Sequence, residues 1–179
     1  SCAAIERIGY PVAYLPADED GRILPETLDR YISDRTRLVS VMTANNEIGT
    51  IQDIARLADI AHAHGAMFHT DAVQAVCRIP IDVKALDVDM LSASAHKFNG
   101  PRGIGFLYIR KGIKVRPFMD GGGQENKNRA GTENTAAIVG MSIALMNNIQ
   151  NMRNTSDSIR ALENLLITKL LEAGLVFKR

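Results

Sequence analysis

Residues 37–71 read Arg37-Leu38-Val39-Ser40-Val41-Met42-Thr43, then Ala44-Asn45-Asn46-Glu47-Ile48-Gly49-Thr50-Ile51-Gln52-Asp53, then Ile54-Ala55-Arg56-Leu57-Ala58-Asp59-Ile60-Ala61-His62-Ala63-His64-Gly65, then Ala66-Met67-Phe68-His69-Thr70-Asp71. The first block has the apolar, β-branched character of a buried strand, and the second is a polar loop at its C-terminal end. In the third, Ile54, Leu57, Ala58 and Ala61 recur at i, i+3, i+4 and i+7, the period of an amphipathic helix. Asp53 stands where an N-cap belongs, and Gly65 ends the helix. Residues 66–70 form a second strand, with Asp71 just beyond it. Strand, helix and strand in alternation mark an α/β protein built on a mostly parallel sheet.

The same alternation extends both ways. Upstream, Ser1 to Ile8 reads as the tail of a helix and Gly9 stops it. A short strand is expected at Val12–Leu15, then the turn Asp18-Glu19-Asp20-Gly21 and a helix with Pro25 near its first position. Downstream, Met90–Ser94 reads as a strand. The Gly-rich turn Gly100-Pro101-Arg102-Gly103 is short enough to make Gly105–Arg110 antiparallel to it. Two apolar stripes at helical spacing follow, Ile138, Met141, Leu145, Ile149 and Met152, then Ile159, Leu162, Leu166 and Leu170. The polar segment Asn151–Asp157 between them is the expected boundary, dividing a large-domain portion, 1–150, from a helix leading into a second domain, 151–179.

Composition narrows the function classes. The 179 residues carry a formal net charge of +1 and are 46% hydrophobic, which excludes disorder and gives no basic excess for nucleic acid. The longest nearly apolar run, Ala136–Met146, is too short to span a bilayer. Two cysteines, Cys2 and Cys77, make neither a disulfide scaffold nor a metal site, so a reducing, cytoplasmic setting is expected. No signal or transit peptide opens the chain and there is no initiator Met, so it is expected to be a fragment of a longer protein. Asn154-Thr155-Ser156 matches a glycosylation sequon by chance.

Chemistry concentrates at strand ends, where open α/β sheets bind ligands. Three successive ends carry polar clusters: Asn45-Asn46-Glu47, Asp71 to Gln74, and Ser94-Ala95-His96-Lys97. A lone Lys is ordinarily a surface charge and a lone Asp a helix cap. A carboxylate and an amine at neighbouring strand ends instead suit a cofactor that needs an anion at one end and a covalent amine partner at the other. Pyridoxal phosphate fits that demand. Its aldehyde condenses with a Lys amine, its ring nitrogen needs an Asp, and its phosphate needs hydroxyl, imidazole or N–H donors. Lys97, Asp71 and the Ser94/His96 pair supply the three parts.

Five ordered motifs carry a resemblance. They are Asn45-Asn46-Glu47-Ile48-Gly49, His69-Thr70-Asp71-Ala72-Val73-Gln74, Ser94-Ala95-His96-Lys97, Gly121-Gly122-Gly123-Gln124-Glu125 and Arg129-Ala130-Gly131-Thr132-Glu133-Asn134. Together they resemble cysteine desulfurases of the NifS/IscS type, within the class V aminotransferases of fold-type-I pyridoxal-phosphate enzymes. The resemblance implies a three-layer α/β large domain, incomplete here at both ends, with a mostly parallel sheet and one antiparallel strand. It implies Lys97 as the Schiff-base lysine, Asp71 as the partner of the pyridine nitrogen, and Asn46 and Gln74 as holders of the ring or its hydroxyl. Ser94 and His96 would bind the phosphate, and Thr132 would reach the phosphate of the other subunit in a homodimer. The implied reaction takes sulfur from L-cysteine, leaving alanine and an enzyme persulfide that a sulfur-acceptor or scaffold protein receives for iron–sulfur cluster assembly.

By the same resemblance, the His that stacks on the ring belongs upstream of Ser1. The sulfur-accepting Cys and the Arg for the substrate carboxylate belong downstream of Arg179. Cys77 is expected to be a small buried apolar residue rather than a nucleophile, and Cys2 to be inert. His62 and His64 are expected to face solvent, and His69 to be a satisfied core residue. Selenocysteine lyase and other class V aminotransferases share these motifs, and a dimerising scaffold without catalysis is the non-enzyme alternative. Retention of both Lys97 and Asp71 weighs against the scaffold.

Overall fold

Four strands make one open sheet in the order β1 (Leu38–Met42), β2 (Met67–Asp71), β3 (Met90–Ser94), β4 (Gly105–Ile109). The structure is a computed structural model and describes residues 2–176. Ser1 and positions 177–179, included in the expectations for the two chain ends, lie outside the described residues. Strands β1, β2 and β3 run parallel, with Val39 beside Phe68 and Thr70 beside Leu91; β4 is antiparallel to β3, with Ser94 beside Gly105. The expected mostly parallel sheet with one antiparallel strand is present. Gly105 is required at that pairing, because a Cβ there would collide with the carbonyl oxygen of Ala93.

Alternation along the strands sorts the sheet into two faces. One carries Val39, Val41, Phe68, Thr70, Leu91 and Ala93, all buried. Helix α3 (Ile54–Ala63) packs on it through Ile54, Leu57, Ala58 and Ala61, and α2 (Pro25–Tyr31) packs on α3. Burying Ile54 and Leu57 contributes about 2 kcal/mol each. The Asp53 side chain accepts the Arg56 N–H at 3.2 Å, so the expected N-cap is made, and Gly65 turns the chain at φ +71°. The other face carries Ser40, His69, Asp71, Ser92 and Ser94 and is only partly covered. Because β1 alternates between exposed and buried residues, it is a half-buried strand and not the fully buried one its composition predicts.

Two further expectations are corrected, those for Val12–Leu15 and for His62. Val12–Leu15 forms no strand and pairs with none among the described residues; an apolar run becomes a strand only where a neighbour completes its ladder. The two apolar stripes belong to one helix, α4 (Thr135–Glu172), which passes unbroken through Asn151–Asp157. That segment holds no Pro or Gly, so nothing in it stops a helix. His62 does not face solvent. Its Nδ1 lies 3.1 Å from Asp87 Oδ2 and its Nε2 lies 2.9 Å from the buried Asp89.

Asp89 also accepts the Phe68 N–H at 2.8 Å, and Arg110 donates to Asp87 at 2.6 Å. The Arg110 guanidinium holds the Asp87 carboxyl below its ordinary range. This cluster closes the edge of the sheet where the parallel strands begin. Among the described residues, no helix is long and apolar enough to cross a membrane, and no group of His, Cys, Asp and Glu could hold a metal. At the N-terminus, α1 (Cys2–Arg7) is helical, as expected of residues leading to the Gly9 stop, and Cys2 is exposed.

Candidate active site

The opposite edge, where β1, β2 and β3 end, is where the polar clusters converge. Parallel pairing alone brings them together, since three adjacent parallel strands finish on the same side. After β1, the chain turns through Asn45, whose Oδ1 accepts the N–H groups of Glu47 at 2.8 Å and Ile48 at 3.0 Å. This Asx turn leaves Asn46 exposed at its tip. The loop is pinned to β2 through the Thr43 N–H, which donates to the Asp71 carbonyl at 2.8 Å.

Asp71 is the last residue of β2, one position earlier relative to the strand end than the sequence predicts. One carboxylate oxygen, Oδ1, accepts the Val73 N–H at 2.9 Å, while Oδ2 has no partner among the described residues. On the same sheet face, two positions back, His69 lies between two serines. Its Nδ1 is 2.8 Å from Ser40 Oγ and its Nε2 is 3.2 Å from Ser92 Oγ. Both ring nitrogens are therefore satisfied, as expected. Burial lowers the His69 pKa, with the Asp71 charge opposing that shift. Gln74 follows Asp71 in the turn 72–79 and is half-buried.

Lys97 stands on a short 3-10 turn, Ala95–Phe98, that begins where β3 stops. Phe98 anchors the turn in the core, while Ala95 N–H donates to the Ile104 carbonyl at 3.0 Å. Asn99 closes the turn in the left-handed conformation, φ +63°, and Gly100 N–H donates to Ala95 O at 2.9 Å. The turn therefore has fixed ends, and Lys97, half-buried, projects from a defined backbone. Its ammonium has no hydrogen-bond or ion-pair partner among the described residues. Ser94 Oγ and His96 Nδ1 are 3.0 Å apart, so hydroxyl and imidazole act as one unit beside Lys97.

Of the seven residues singled out, the fold brings Asn46, Asp71, Gln74, Ser94, His96 and Lys97 to one sheet edge. Thr132 is exposed in the segment leading into α4, and no hydrogen bond ties it to the other six among the described residues. Asn134 caps that helix by accepting the Ala137 N–H at 3.1 Å. Cys77 lies off this edge, half-buried, with its Sγ 3.8 Å from the Leu145 carbonyl. Burial raises its thiol pKa, the opposite of what activates a nucleophile. The donor set suits pyridoxal phosphate: a carboxylate with a free oxygen at the end of β2, and an unpaired amine and a hydroxyl–imidazole pair at the end of β3. Sequence reading missed Arg78 and Asn148, whose side chains donate to backbone carbonyls of the lysine turn.

Comparison with known proteins identifies the family. The family described as Aminotransferase class-V matches residues 2–177. The chain is 48% identical over 172 residues to the cysteine desulfurase IscS of Methanosarcina thermophila, covering 96% of this chain and 43% of that protein. It is 43% identical over 175 residues to the cysteine desulfurase NifS of Azotobacter vinelandii, covering 98% and 42%. Among solved structures, a NifS-like protein superposes with a TM-score of 0.93 at 38% identity, over 97% of this chain and 48% of that one. A structure of SspA in complex with cysteine superposes with a TM-score of 0.78 at 41% identity, over 81% and 42%. The chain thus spans less than half the length of these relatives. Because the family match spans residues 2–177, the chain belongs to the class V aminotransferase family.

Proposed function

We propose that this chain is the central, lysine-bearing part of a pyridoxal-phosphate-dependent cysteine desulfurase that converts L-cysteine to L-alanine and passes on the sulfur. One observation carries the reading. An unpaired Lys97 amine and a half-free Asp71 carboxylate stand at adjacent strand ends, in a chain 48% identical to a cysteine desulfurase.

Pyridoxal phosphate, when bound, supplies an aldehyde for the amine and a ring that draws electrons from the substrate α carbon. Lys97 Nζ would hold that aldehyde and, once displaced by the amine of L-cysteine, take up the Cα proton beside it. Asp71 Oδ2 would keep the ring nitrogen protonated. Asn46 and Gln74 would hold the ring, and Ser94 and His96 the phosphate. The Ser94 hydroxyl occupies His96 Nδ1 and leaves Nε2 for an anion. Thr132 would serve the phosphate of a second copy, so that the active enzyme would be a homodimer.

The sulfur would go to an acceptor or scaffold protein of iron–sulfur cluster assembly. The chain up to residue 150 would belong to the large domain, and α4 beyond it would lead towards a smaller one. The two unpaired thiols suit a reducing compartment, and we place the enzyme in the cytoplasm.

The test is to supply the full-length enzyme with L-cysteine and pyridoxal phosphate and to measure alanine and sulfide in the presence of a thiol reductant. Alanine formation that is lost in Lys97→Ala supports the reading. Pyruvate or an amino-acid exchange product in place of alanine would point to another class V reaction.

A further inference from the structure

The 3-10 turn bearing Lys97 ends with carbonyls that have no partner inside the turn, as every helical C-terminus does. Ala95 O is satisfied locally, by the Asn99 and Gly100 N–H groups. The carbonyls of Lys97 and Phe98 are satisfied from elsewhere in the chain. Lys97 O accepts from Arg78 Nη2 at 3.3 Å, and Phe98 O accepts from Asn148 Nδ2 at 2.9 Å.

Asn148 is held through its side chain and Arg78 through its backbone. Arg78 follows Cys77, which adopts φ +64°, a conformation a side chain rarely takes. The Arg78 N–H donates to Ala75 O at 2.9 Å, which fixes the backbone that carries the guanidinium. Asn148 is fixed three times over: its Nδ2 also donates to Ala144 O at 2.8 Å, and its Oδ1 accepts from Asn99 Nδ2 at 3.2 Å. Close approach of α4 to the same loop is independently visible at Gly140, where a Cβ would lie 2.9 Å from the Pro101 ring.

We propose that Arg78 and Asn148 are positioning residues for Lys97. They hold the two carbonyls at and after the lysine from two separate elements, Arg78 from the segment after Asp71 and Asn148 from α4. Neither reaches the reacting atoms; both limit where Nζ can be. A cation at the end of a helical turn also suits the partial negative charge there. This inference rests on Lys97 being the residue that captures the cofactor. A misplacement of the amine of about 1 Å is enough to slow such capture by tenfold or more.

The experiment compares full-length wild type with Arg78→Ala, Asn148→Ala, the double variant and the conservative Arg78→Lys. Apoenzyme is mixed with pyridoxal phosphate, and covalent capture is followed by visible absorbance. Binding of pyridoxamine phosphate, which has no aldehyde and needs no lysine, is measured in parallel. Capture is expected to slow by about tenfold in the double variant. Pyridoxamine phosphate affinity should stay within about twofold of wild type, and Arg78→Lys should recover most of the rate lost in Arg78→Ala. Equal capture rates in all variants, or a parallel loss of pyridoxamine phosphate binding, overturns the positioning role. If wild type captures the cofactor at a lysine other than Lys97, the functional assignment falls and the positioning role falls with it. Unchanged capture at Lys97 overturns the positioning role alone.

Discussion

Thr43 and Thr70 lock the end of β1 to the end of β2 directly beneath the candidate site. Both are buried, at 3% and 0% exposure, and their hydroxyl oxygens are 2.7 Å apart. Thr70 Oγ1 donates its single proton to the Val41 carbonyl at 2.9 Å, so Thr43 must donate to Thr70. The two substitutions are therefore unequal. Thr43→Val removes one hydrogen bond and leaves Thr70 with its carbonyl, a loss of about 1 kcal/mol. Thr70→Val removes two bonds and strands a buried hydroxyl on Thr43, a loss of about 2–3 kcal/mol. In the double variant, the stranded hydroxyl is gone, so its cost should fall below the sum by about 1 kcal/mol. The assay is urea unfolding of the full-length protein, comparing midpoints at equal slope. Additive costs, or a Thr43→Val effect equal to that of Thr70→Val, would refute the assigned direction of the bonds.

Other outcomes follow from the same geometry. Asp71→Asn should leave folding intact and lower cysteine turnover by about a hundredfold, because an amide cannot hold the ring nitrogen protonated; near-normal turnover would reduce Asp71 to the cap of the turn at Val73. His69 is held below the ordinary value of 6.5 by burial, so its contribution is present above pH 6.5 and is lost as pH falls through its folded-state value. Stability measured against pH should therefore drop on the acid side of 6.5, and His69→Asn should flatten that part of the profile. Gly105→Ala should destabilise by about 2 kcal/mol, since the added methyl meets the Ala93 carbonyl in the β3–β4 pairing. An unfolding midpoint unchanged from wild type would show that the strand shifts freely.

What could be read ahead of the structure was governed by local chemistry. The period of Ile54, Leu57, Ala58 and Ala61, the Asp53 cap and the Gly65 stop are properties of neighbours in sequence, and all three are found in α3. The convergence of the Asn46, Asp71 and Lys97 segments was also legible, because it needs only parallel strands and the rule for their C-terminal edge. Partners distant in sequence were not legible. His62 meets Asp87 and Asp89, 25 and 27 residues away, and at helical spacing alone it looked like a surface residue. The strand expected at Val12–Leu15 fails for a related reason, since pairing depends on a neighbour that local pattern does not specify. The unbroken α4 shows the reverse, because polarity between two stripes changes which face is wet without ending the helix. Arg78 and Asn148 escape motif reading because backbone carbonyls, which every residue has, are what they recognise.

The central claim is that Lys97 is the residue that holds the cofactor. The direct measurement is borohydride reduction of the full-length enzyme loaded with pyridoxal phosphate, followed by proteolysis and mass spectrometric mapping of the pyridoxyl group. The account predicts the label on Lys97, in the peptide containing Ser94 and His96. A label on Lys84, Lys111 or any lysine other than Lys97 would contradict it.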